Sequence, residues 1–226
     1  MITDYTQIQG LFVELDGHMR GTATVYMIGG GALMKREMKS QTKDIDIVVD
    51  SKVEFDRMQD AFGAAGFRPT LPTKEYDRSA LSQIWIRDDF RVDIFCKMVC
   101  GRFSLSEGMK ERSVRDDIRS KNIDLFVCSP EDIFLFKTMT DREGDYDDCS
   151  SVVRSMTDFE WSVVLNEAQE QSKEGQAVWI TWITNRLEEF AERKMDVPIL
   201  ADMIKLADRY IEEWERGLLE RNSDKA

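Results

Sequence analysis

The chain has 226 residues, 42% hydrophobic and 33% charged, and its 31 Lys plus Arg against 43 Asp plus Glu give a formal net charge of −12. That much apolar material excludes a wholly disordered or fibrous chain, and the length suits one large domain or two small ones. The negative surplus repels phosphate backbones at long range, which disfavours tight nonspecific nucleic-acid binding but not local capture of a small anion.

The opening residues MITDYTQIQG hold no basic stretch followed by an apolar run, and nothing approaches the roughly 18 consecutive apolar residues of a membrane span. A cytoplasmic protein without a membrane partner is expected. Within residues 5–19, Ile8, Leu11, Phe12 and Leu15 recur at helical spacing and predict a first amphipathic helix. Thr24 to Ile28 is a short β-rich run that stops at Gly29-Gly30-Gly31, and Ala32 to Met38 are acceptable helix formers. The expectation is strand, glycine turn, helix.

Lys43 to Val49 reads as a second strand and Val53 to Ala65 as a helix ending near Gly66. Gln83–Arg87 and Phe90–Phe95 are β-rich runs joined by a hairpin turn at Asp88-Asp89, and Ile123–Val127 adds another strand. Ser129 looks like an N-cap, with Pro130 at the first helical position and Asp132 completing an Asp variant of the capping box. Beyond it the β signal disappears. Trp179, Trp182, Ile183, Leu187 and Phe190 repeat at helical intervals, as do Leu200, Met203, Ile204, Ala207, Ile211, Trp214 and Leu218. The two tryptophans at 179 and 182 are expected in the core, and residues 221–226 are expected to fray. The fold class is therefore α+β: a mixed β-sheet domain flanked by helices over residues 1–128, then an all-helical domain over 129–226.

Alternate side chains of a strand share a face, so Asp44 and Asp46 are expected to project together while Ile45 and Ile47 enter the core. An isolated D-x-D is compatible with a solvated edge. A further acid, Asp93, in the β-rich run Arg91-Val92-Asp93-Ile94-Phe95 favours a metal site, because a lone buried carboxylate is costly. Hard oxygen ligands at this spacing suit Mg²⁺, and a third carboxylate can hold a second metal or take a proton from an attacking hydroxyl. The glycines permit close backbone approach, and free amides at a helix start attract phosphate. Neither the P-loop nor the dinucleotide fingerprint is present.

Other chemistries recede. Cys96, Cys100, Cys128 and Cys149 show no C-x-x-C spacing and read as reduced thiols. His18, the only histidine, reads as structural, so histidine triads and histidine-rich metal sites are largely excluded. The run from Asp141 fails as a calcium loop because Tyr146 stands where Gly is required and Val152 where Glu is required.

The series Ile28-Gly29-Gly30-Gly31-Ala32, Thr42-Lys43-Asp44-Ile45-Asp46-Ile47 and Val92-Asp93-Ile94 resembles the nucleotidyltransferase superfamily with the polymerase-beta-like fold. Ser129-Pro130-Glu131-Asp132, followed by Lys137, Arg142 and Asp145, resembles a segment of its toxin-type and abortive-infection-type branch. The resemblance covers roughly residues 20–150. One departure is that relatives often carry an Arg shortly before the Thr-x-Asp-x-Asp run, whereas this chain has Ser40 and Gln41, with Lys39 and Lys43 nearby.

The resemblance implies transfer of a nucleoside monophosphate from a triphosphate such as ATP to an acceptor hydroxyl on a protein, tRNA or small molecule, with release of pyrophosphate. Asp44, Asp46 and Asp93 would be the catalytic and Mg²⁺-binding carboxylates. Gly29, Gly30, Gly31, Lys43, Lys137 and Arg142 would contact the nucleotide; the alternative for Lys137 and Arg142 is ordinary salt bridging with Asp141 and Asp145. The alternative is a catalytically silent member that binds nucleotide or a partner protein, such as one half of a toxin–antitoxin pair.

Overall fold

A computed structural model describes residues 1–71, 79–100, 103–140, 142–173 and 177–223, with the side chains of 79–82, 100 and 221–223 left aside. Helix α1 (Tyr5–Asp16) starts at a capping box in which Asp4 accepts from the Thr6 amide and Gln7 reaches back to the Asp4 amide. It buries Ile8, Leu11, Phe12 and Leu15, the four residues its periodicity selects. His18 lies exposed in the turn that follows.

Strand β1 (Ala23–Ile28) leads directly into α2 (Gly29–Lys35), so the glycines form the first turn of the helix rather than a turn ahead of it. Gly29 has φ +65°, and a Cβ there would collide with the Asp46 carboxylate; one on Gly30 would collide with the Thr42 hydroxyl. Removing Cβ at both positions lets α2 start flush against the next strand. That strand, β2 (Ile45–Val49), begins after Asp44. Thr42 forms an isolated bridge with Ile2 and donates its hydroxyl to the Asp44 carbonyl at 3.0 Å, so Lys43 and Asp44, expected within the strand, lie ahead of it.

Helix α3 (Lys52–Ala64), capped by Ser51, precedes β3 (Arg68–Thr70), β4 (Ser79–Arg87) and β5 (Phe90–Cys100). Asp88, at φ +52°, turns the expected hairpin between β4 and β5. Then come β6 (Phe103–Ser104), α4 (Glu107–Arg112), β7 (Val114–Arg115) and β8 (Ile123–Val127). The sheet order is β3-β4-β5-β2-β1-β8-β7, with β6 paired to β5. It is mixed: β1–β8 and β2–β5 are parallel and the other pairs antiparallel.

From Pro130 every element among the described residues is a helix: α5 (Pro130–Thr138), α6 (Glu143–Ser155), α7 (Trp161–Ser172), α8 (Trp179–Glu192) and α9 (Leu200–Ser223). Ser129 caps α5 as expected, accepting from the Asp132 amide at 3.2 Å. Every residue of α5 is buried. Aromatic contacts tie the sheet to these helices, Phe103 meeting Phe136 at 5.5 Å and Trp179 at 4.8 Å between centroids. Trp179 is in the core as expected, whereas Trp182 is half-buried. The tail expected to fray is helical through Ser223, and 224–226 lie outside the described residues. No helix among the described residues is long and apolar enough to cross a membrane.

Candidate active site

The parallel pairing of β2 with β5 sets Asp46 beside Asp93, while Ile45 and Ile47 point into the core. Neighbouring strands lie about 4.8 Å apart, so two carboxylates in register on one face repel strongly. Asp46 shows the consequence: burial, then the charges of Asp44 and Asp93, push its pKa well above the ordinary carboxylate value, and Lys137 and Arg142 offset this only in part. Asp93 is 1% exposed, and burial raises its pKa too. Arg91 opposes that rise by gripping both carboxylate oxygens, Nε to Oδ1 and Nη2 to Oδ2 each at 2.7 Å.

A cleft of about 400 Å³ opens over Asp44 and Asp46. Gly30, Thr42 and Lys43 line it on the strand side, and Lys137, Arg142, Asp145 and Asp148 on the side of α5 and α6. Lys39 stands between them. Lys137 donates to Asp145 at 2.8 Å and pairs with Asp148 at 2.7 Å. Lys39 donates to both oxygens of Asp148, at 2.6 Å to the Oδ2 that Lys137 also contacts and at 2.8 Å to Oδ1. Arg142 Nε donates to Asp145 at 2.6 Å, and the Thr140 hydroxyl donates to the same oxygen. Burial works against the charge on Lys137, but Asp145 and Asp148 outweigh it and raise its pKa. Burial likewise opposes the charge on Asp145, yet Lys137 and Arg142 hold its pKa at about 2.

Of the sequence-predicted residues, Asp44, Asp46, Gly30, Lys43, Lys137 and Arg142 therefore line one cleft. Gly29 lies beneath the Asp46 carboxylate. Gly31 faces the interior, where a Cβ would sit 2.9 Å from Met27 Sδ, and Asp93 is buried behind the cleft with Arg91. Asp145 is the salt-bridge partner anticipated for Lys137 and Arg142, while Asp141 lies outside the described residues. Sequence reasoning missed Asp148 and noted Lys39 only as a neighbour. Asp145 and Asp148 stand three apart on α6, a spacing that places both on one helix face.

Among the described residues no three His, Cys, Asp or Glu side chains form a ready-made metal cage. Asp44 and Asp46 supply two hard, mutually repelling oxygen donors at the cleft floor. That donor set fits Mg²⁺ arriving with phosphate and water to complete its coordination.

Over residues 6–195 the chain matches a family described as nucleotidyltransferase of unknown function (DUF6036), and it belongs to that family. The match agrees with the superfamily that the glycine and Asp-x-Asp motifs resemble. No curated protein matches the chain.

Proposed function

We propose that the chain is a Mg²⁺-dependent nucleotidyltransferase that moves a nucleoside monophosphate from a nucleoside triphosphate to an acceptor hydroxyl. The observation that carries this reading is the in-register pair Asp46 and Asp93: Asp46 lines, with Asp44, a cleft that also holds Lys39, Lys43, Lys137 and Arg142, and Asp93 is buried directly behind it. Lys43 and Arg142 attract the triphosphate, and Gly30 lets phosphate approach the backbone beside Thr42. Asp44 and Asp46 would hold Mg²⁺, which when bound offsets both the phosphate charge and the repulsion between the two carboxylates.

The acceptor oxygen attacks the α-phosphorus while its proton passes to a carboxylate oxygen of Asp93. The bond from the α-phosphorus to its bridging oxygen breaks, and that electron pair leaves with pyrophosphate. Arg91 must turn aside for Asp93 to take the proton, because it occupies both oxygens. Positioning and charge compensation do most of the work in such a transfer. A cytoplasmic location fits a reaction drawing on the triphosphate pool, and the acidic surface favours a protein or small-molecule acceptor over tRNA.

The clamp on Asp93 is also what favours the second reading, a silent member that binds nucleotide or a partner such as the other half of a toxin–antitoxin pair. Incubation with each α-labelled triphosphate, Mg²⁺ and cell lysate separates the two. Label transferred by the wild type and absent with Asp44→Asn supports the transferase. Binding of triphosphate without transfer to any fraction supports the silent member.

A further inference from the structure

The cleft contains its own anion where substrate phosphate would compete for cations. Four basic side chains line it, Lys39, Lys43, Lys137 and Arg142, and four carboxylates, Asp44, Asp46, Asp145 and Asp148. Asp145 is packed between Lys137, Arg142 and Thr140, with 6% of its side chain exposed. Asp148 is placed differently. Its carboxylate joins Lys39, from the segment after α2, to Lys137 of α5, accepting from Lys39 at 2.6 and 2.8 Å and lying 2.7 Å from Lys137. One anion thus closes two lysines from separate elements, the geometry of a phosphate group shared between two ammonium groups.

We propose that Asp148 is a displaceable internal anion that occupies the two lysines until the triphosphate takes them, so that loading the cleft releases α6 from the segment after α2. This rests on the reading of the cleft as a triphosphate site. Lys137 keeps Asp145 when Asp148 leaves, so no buried ammonium is stranded, and Lys39, 29% exposed at its side chain, is free to follow the phosphate. The carboxylate lowers apparent affinity according to the fraction of molecules in which it holds the lysines.

Calorimetry with inorganic tripolyphosphate and Mg²⁺ tests this on the full chain. Asp148→Asn is expected to bind about tenfold tighter than wild type, and Asp148→Glu to stay near wild type because it restores the charge. Asp147→Asn removes the same charge from an exposed neighbour on α6 and is expected to change affinity by less than about twofold. Equal or weaker binding by Asp148→Asn, with wild-type binding still weakened by Lys43→Ala, overturns the internal anion and leaves the triphosphate site standing. No binding by either protein overturns both. Hydrogen exchange on the wild type needs no variant: amides over 145–152 are expected to exchange faster with tripolyphosphate bound, and unchanged rates overturn the release of α6.

Discussion

On the strand side of the cleft, Asp44, Asp46 and Asp93 crowd together, and the charge on Asp46 is relieved only partly by cations across the gap. On the helix side, Lys137, Arg142, Asp145 and Asp148 form a chain of alternating sign in which each group is satisfied by its neighbours. Both regions hold buried charge, but the first carries negative charge that its surroundings only partly offset and the second is neutral within itself. A satisfied network is costly to break, whereas an unsatisfied cluster gives up little stability when one member is neutralised.

Lys137→Met should break the comparison most severely. It leaves Asp145 and Asp148 with less cationic compensation in a buried setting, and the loss is expected at about 3 kcal/mol or more. Denaturant unfolding checks it, and a loss below about 1 kcal/mol would mean that the helix side is not a stabilising network. Asp44→Asn on the opposite side should leave the unfolding midpoint unchanged or slightly higher, yet reduce transfer by roughly a hundredfold or more, as for loss of a metal ligand.

The pH dependence differs in sign between the two regions. Asp145 is held at about 2 against an ordinary 3.8. A lowered carboxylate pKa contributes stability that is fully present above about pH 4 and is lost as pH falls toward 2. The difference corresponds to about 2 kcal/mol. Asp46 is shifted upward, so its contribution is present at acid pH and fades as pH rises. Acid unfolding of Asp145→Asn should therefore lose part of the wild-type pH slope below 4. Asp46→Asn should gain stability over wild type at pH 8 relative to pH 4, as read by thermal midpoints at the two values.

The strand side was legible in the sequence because its chemistry rides on period-two patterning. Ile45, Ile47, Val92 and Ile94 announce strands, and an Asp interrupting each run stands out. What the pattern did not carry was register: only the pairing of β2 with β5 puts Asp46 beside Asp93, and only the fold shows Arg91 across Asp93. The helix side was less legible because α5 is buried all round, so it has no polar face to reveal its period. Its cap at Ser129 was readable, and so were Lys137 and Arg142 by resemblance. Asp148 was not, since its role depends on Lys39 reaching it from 109 residues away. The short strands β3, β6 and β7 and the helix α4 are below the length at which a period registers.

The smallest expected effect concerns Asp93, which belongs to the strand side by position and resembles the helix side in having a cation clasped to it. If Arg91 is a stand-in for an external cation, Arg91→Gln should destabilise the chain and leave Asp93 in want of positive charge. Added Mg²⁺ should then raise the unfolding midpoint of the variant more than that of wild type. At a concentration ten times the dissociation constant the added stabilisation is about 1.4 kcal/mol. Introducing Asp44→Asn into the Arg91→Gln background should remove most of that gain, because Asp44 and Asp46 would supply the other oxygens of the same ion. If Mg²⁺ shifts Arg91→Gln and wild type equally, Asp93 takes no part in a cation site. Its salt bridge with Arg91 then belongs with the self-neutralised network across the cleft, and the proton from the acceptor hydroxyl must go elsewhere.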